Sequence, residues 1–168
     1  MNAASDFQFR WRSPLGVSVA LFLLFGALNI FLGIAAPAVQ QLGEANILVL
    51  NPELDAMVFG RSPSELLRTY PFLATYRIIQ ADWKYANVMA VGIFNVALAW
   101  FGLRRGHKWA VWTLALGNFV MVPYWLFVFD AYLSRGVPFS LSLIAVPLFT
   151  FPGFVVPIAA VLGWIGLR

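Results

Sequence analysis

Four apolar runs, 14–39, 85–103, 109–133 and 141–167, take up most of this chain, and they leave it few ways to fold. At about 1.5 Å of rise per helical residue, each run can cross a hydrocarbon core of about 30 Å. The expected fold is therefore all-α. It is a four-helix transmembrane bundle forming one domain over 1–168, with the 40–84 segment folded as a helical cap between helices one and two.

Composition agrees. The 168 residues are 61% hydrophobic and 11% charged, whereas a soluble domain is nearer half apolar and a quarter charged. There is no cysteine, which excludes disulfides, thiolate zinc sites and iron–sulfur ligation. His107 is the single histidine, so a bis-histidine haem is excluded too. No protein-ligated haem, iron–sulfur cluster or zinc is expected. The net charge of +4 implies no nucleic-acid partner, because the cations sit mostly at the ends of apolar runs.

Pro14 suits a first helical turn, and Leu15–Ile34 carries no charge. Arg10 and Arg12 before this run, with Ala36-Pro37-Ala38 after it, have the outline of a signal peptide. The run of about 20 residues is longer than the usual 7–15 of such a segment, so it reads as an uncleaved first span. In the 40–84 segment two helix starts are legible. Asn51-Pro52-Glu53 places a cap before a first-turn proline, with Gly60 to end the helix. Ser62-Pro63-Ser64-Glu65 is a capping box. Pro71 is expected to break or kink the helix that Ser62 caps. From Phe72 the helical spacing of Leu73, Tyr76, Ile79/Gln80 and Trp83 leads straight into the second span.

Lys and Arg counts near the helix ends set orientation. Arg10, Arg12, Arg104, Arg105, Lys108 and Arg168 gather on one side of the expected bundle. That side reads as the cytoplasmic face of a bacterial inner membrane, with both termini inside and the cap outside.

Polar chemistry inside the spans is sparse. Asn29, Asn95 and Asn118 lie in helices one to three, the last two near the expected midplane. A buried amide in lipid must find partners. It serves either as interhelical glue or as part of a ligand site. Gly26 and Asn29, Gly92 and Asn95, and Gly117 and Asn118 put a small residue close to each amide, which favours close helix packing. Asp130 is the one acid in a span, near its outer end. It either pairs with Arg135 or forms a proton or cation site. The candidate ligand-binding set is Asn29, Asn95, Asn118 and Asp130. The many aromatic residues at helix ends form an interfacial belt or line a flat apolar ligand such as a pigment or quinone. His107, within the basic 104–108 turn, reads as an exposed titrating group, and the turn attracts anionic lipid headgroups.

Arg105-Gly-His-Lys-Trp-Ala-Val-Trp112, Asn51-Pro-Glu-Leu54 and Gly60-Arg-Ser-Pro-Ser-Glu-Leu66 resemble stretches of small uncharacterised bacterial four-helix integral membrane proteins. The resemblance spans about 51–112 and implies the fold without implying an activity. No run holds paired carboxylates, a metal-ligand cluster or a nucleophile beside a base. The leading expectation is a non-enzymatic accessory or scaffolding subunit of a larger bacterial membrane complex, with photosynthetic or respiratory assemblies as natural hosts. Its partners are membrane lipids and other subunits. The alternative is a binding or transport protein for a lipid or other small apolar ligand, with the asparagines around its cavity.

Overall fold

A computed structural model describes residues 8–42, 47–140, 143 and 155–168. Among these residues the regular structure is entirely helical. Helix α1 runs Pro14–Gln41, α2 Pro52–Phe59, α3 Pro63–Thr69, α4 Pro71–Ala97, α5 Lys108–Phe119, α6 Val122–Leu133 and α7 Val155–Gly166. Among the described residues, three continuous stretches are long and apolar enough to cross a membrane: Pro14–Gln41, Pro71–Arg105 and Lys108–Leu133.

Local chemistry explains the boundaries. Ser13 Oγ accepts from Gly16 N–H, and Pro14 opens α1. Asn51 Oδ1 accepts from Leu54 N–H at 2.9 Å, and Gly60 ends α2 at φ 70°, where a side chain would be strained. Ser62 Oγ accepts from Glu65 N–H at 3.2 Å. The Glu65 carboxylate meets Arg61 at 3.7 Å, so the reciprocal arm of the expected capping box is an ion pair instead. The helix that Ser62 caps breaks before Pro71, ending at Thr69, and Pro71 opens α4. After Ala97 the helix widens into a π-turn over Leu98–Gly102, then tightens into a 3₁₀ turn over Leu103–Arg105.

The third span departs from the single 109–133 helix that its unbroken apolar pattern suggests. It divides into α5 and α6 around Val120–Met121. Pro123 is the cause: it has no N–H for the carbonyl of Phe119, four residues earlier, where α5 ends. Of the expected fourth span, α7 is described, with Pro157 inside it; the remainder, with Pro147 and Pro152, falls outside the described residues apart from Leu143.

Helices α1 and α4 cross closely because glycine meets glycine. A Cβ on Gly92 would lie 2.7 Å from the Gly26 carbonyl oxygen, and one on Gly26 would lie 2.8 Å from the Gly92 oxygen. Ser18 Oγ donates to the Ala159 carbonyl at 2.6 Å and ties α1 to α7. One core joins Leu15, Val19, Phe22 and Phe25 of α1 to Leu103, Leu114 of α5 and Val156 of α7. A second core lies at the opposite end. There Leu50 and Leu54 pack with Tyr132 of α6, Val137 and Leu143.

Candidate functional site

Asn95 and Asn118 face each other across α4 and α5. Asn118 Nδ2 donates to Asn95 Oδ1 at 2.8 Å, and Asn95 Nδ2 donates to Asn118 Oδ1 at 3.2 Å. Each amide also donates to a carbonyl one turn back, Asn95 to Val91 at 3.0 Å and Asn118 to Leu114 at 2.7 Å. Both NH₂ groups thus place their two donors, and the pair is closed on itself. Asn29 is equally buried, on α1 beside Gly92, yet neither its amide oxygen nor its nitrogen has a partner. The structure therefore joins two of the three asparagines and leaves the third apart. Asp130 is exposed on α6 and does not pair with Arg135. That arginine reaches the Val58 carbonyl at 3.4 Å instead, because the α2 C-terminus packs beside it.

A fully buried charge lies elsewhere, at Asp55. This carboxylate accepts from three successive backbone N–H groups, Leu48 at 2.8 Å, Val49 at 3.0 Å and Leu50 at 3.1 Å. A fourth donor is Tyr132 Oη of α6, at 2.6 Å. Sitting in the first turn of α2, Asp55 also meets the positive end of that helix. One side chain thus fixes the 48–50 segment, α2 and α6 to each other.

The fixed segment forms one wall of a cavity of about 780 Å³. The facing wall is the first half of α4, from Tyr70 to Tyr85; Gln40 at the end of α1 and Phe59 and Leu66 of the short helices complete it. On α4, Arg77, Gln80 and Lys84 share one face at spacings of three and four residues, and all three line the cavity. Arg77 is buried and Lys84 half-buried. The Lys84 ammonium lies 5.0 Å from the Tyr85 ring centroid. Gln40 also lines this space, and its buried Oε1 has no hydrogen-bond partner. Among the described residues no carboxylate lines the cavity; Asp55, whose charge acts on Lys84, is occupied by its four donors.

The cavity volume falls within the range of about 300–1,000 Å³ usual for small-molecule sites. Apolar walls with two cations and two glutamines suit a molecule with an apolar body and an oxyanion or hydroxyl head. Among the described residues no group of His, Asp or Glu is placed to hold a metal.

Sequence reasoning about polar residues inside the spans passed over this place, because Arg77 and Lys84 lie just before the apolar run at 85–103. A signal was present. Two cations and a glutamine at helical spacing interrupt a face that otherwise reads apolar from Leu73 to Trp83. Asp55 left no comparable signal, since three of its donors are backbone N–H groups and the fourth, Tyr132, is distant in sequence. No protein-family model matches the chain, and no characterised protein or solved structure is significantly similar to it.

Proposed function

We propose that this chain is a four-helix protein of the bacterial inner membrane that binds a single-chain amphipathic acid. The ligand lies in the cavity between α4 and the α2–α3 cap, and the role is non-enzymatic. One observation carries the reading: Arg77, Gln80 and Lys84, at helical spacing on α4, line the same largely apolar cavity as Gln40. The ligand's chain lies along Leu73, Tyr76 and Ala81, and its acid head meets the two cations. The asparagines serve as glue. This reading relocates the binding site from the bundle midplane to the capped end.

Topology supports an extracytoplasmic mouth. The 104–108 turn meets the N-terminal segment, where Arg104 lies over Phe9. The α7 C-terminus lies against Leu15 at the start of α1. Arg10, Arg12, Arg104, Arg105, Lys108 and Arg168 therefore cluster at one end, which the positive-inside rule assigns to the cytoplasm.

Titration of the purified protein with a fluorescent long-chain fatty acid tests the proposal. Saturable binding is expected, with Lys84→Leu weakening it about tenfold, roughly what a charge-assisted hydrogen bond contributes. Binding that is unsaturable, or equal in wild type and Lys84→Leu, would contradict the proposal.

A second reading, an accessory subunit, draws on a lateral groove of about 530 Å³ between α5 and α7, walled by Trp112, Phe119, Pro157 and Trp164. Its test is blue-native electrophoresis of a mild-detergent extract, where a discrete complex far above 18.7 kDa would favour assembly with other subunits.

A further inference from the structure

The end of the molecule opposite the capped cavity holds a second recess, built on different residues. It measures about 420 Å³ and is lined by Phe9, Trp100, Arg104 and Arg105. Its centre is Arg104. The Arg104 guanidinium carbon lies 4.1 Å from the Trp100 ring centroid and 5.6 Å from that of Phe9. Trp100 belongs to the π-turn and Arg104 to the 3₁₀ turn that follows it, so this stacking depends on the widened end of α4. Such π-turns are found frequently at functional sites.

The backbone around the arginines is fixed. Gly106 N–H donates to Leu103 at 2.9 Å and His107 N–H to Gly102 at 3.2 Å, with Gly106 at φ 80° closing the turn. Arg105 extends beside Arg104, its guanidinium carbon 5.7 Å from the Phe101 ring centroid. Among the described residues no carboxylate pairs with either arginine.

An arginine stacked on aromatic rings uses its faces for the rings and keeps its N–H edge for an oxyanion. Two such groups side by side suit a phosphate better than a carboxylate. The ring walls belong at headgroup level, where tryptophan and its neighbours collect at the end of a span. A phosphate carried on an apolar molecule fits this setting better than one free in water.

We propose that Arg104 and Arg105, with Trp100 and Phe9 as walls, bind the headgroup phosphate of an anionic phospholipid in the adjoining leaflet. This is independent of the ligand in the capped cavity. The other cations of this end, Arg10, Arg12, Lys108 and Arg168, raise the local concentration of anionic lipid without forming the site.

The test measures association of spin-labelled phosphatidylglycerol with the full chain in phosphatidylcholine bilayers, with spin-labelled phosphatidylcholine as reference. The wild-type protein should prefer the anionic lipid. Arg104→Gln should lower that preference about fivefold, the contribution of one well-placed cation at a membrane surface. Arg104→Lys keeps the charge but loses the fork and the stack, so it should fall between the two. Lys108→Gln, which alters charge outside the recess, should have a much smaller effect. Millimolar inorganic phosphate should not displace the lipid; displacement would make free phosphate the ligand and overturn the lipid assignment. Equal losses for Arg104→Gln and Lys108→Gln would show diffuse attraction only, and would also overturn it. Thermal unfolding of the variants close to that of the wild type shows that the losses are not unfolding.

Discussion

Two buried polar regions of this molecule behave in opposite ways. At the middle of α4, Asn95 and Asn118 consume each other's hydrogen-bonding capacity and that of two nearby carbonyls. At the start of the same helix, Arg77, Gln80 and Lys84 line an open cavity together with Gln40. Polarity inside an apolar chain does not by itself mark a binding site. What matters is whether the polar groups close on each other or border a space. A closed pair holds helices together, whereas polar groups around a cavity leave room for a ligand.

Asp55 connects the two kinds of region, since it is closed like the asparagines but shapes the open cavity. Asp55→Ala strands three backbone N–H groups and the Tyr132 hydroxyl. It should destabilise the packing of α2 and the 48–50 segment on α6 by about 3 kcal/mol or more, at 1–3 kcal/mol for each buried group left unpaired. Hydrogen exchange should then rise across 47–59, and fatty-acid binding should fall with it. If exchange in 47–59 were unchanged, Asp55 would not be the clasp of the capped end.

Substitutions at the closed pair should affect stability and leave binding alone. Asn95→Leu and Asn118→Leu should each cost about 1–2 kcal/mol, and the double variant less than their sum, because each single change strands the other amide. Thermal unfolding in detergent gives both the costs and the coupling. A loss of fatty-acid binding in either variant would return the site to the asparagines.

Asn29 sharpens the contrast, because it is buried without partners. Asn29→Leu should be neutral or stabilising by about 1 kcal/mol, since it removes an unsatisfied amide from an apolar seam. A substantial loss of stability would show that this amide is paired. Ser62→Ala should cost about 1 kcal/mol through loss of the α3 cap, seen as faster exchange at 63–66 alone. The smallest effect belongs to Asp130→Asn, which should be silent in thermal stability, as suits an exposed group with no ion-pair partner among the described residues.

Much of this was legible in the residues. Apolar run lengths located the three membrane-long helices, and Asn51, Gly60, Ser62 and Pro71 marked the short helices to within a residue. Antiparallel spans of known ends put Asn95 and Asn118 at matching depth and make them the pair to meet, while the rotation that brings them into contact is set by packing. The break at Val120–Met121 was harder to see. Pro123 is tolerated within many membrane helices, and only the packed structure shows the ladder giving way. Of the cavity only the polar face of Arg77, Gln80 and Lys84 was legible; its other wall and the clasp at Asp55 were out of reach, because both depend on where the 47–50 backbone lies against α4 and α6. No periodicity encodes that placement.

The most direct test of a ligand site at the capped end is photo-crosslinking with a diazirine-bearing long-chain fatty acid, read by peptide mapping of the full-length protein in bilayers. Labelling should concentrate on 47–50 and 70–85, be competed by unlabelled fatty acid and be lost in Lys84→Leu. Competable labelling centred on the peptides holding Asn29, Asn95 and Asn118, with 70–85 unlabelled, would contradict it.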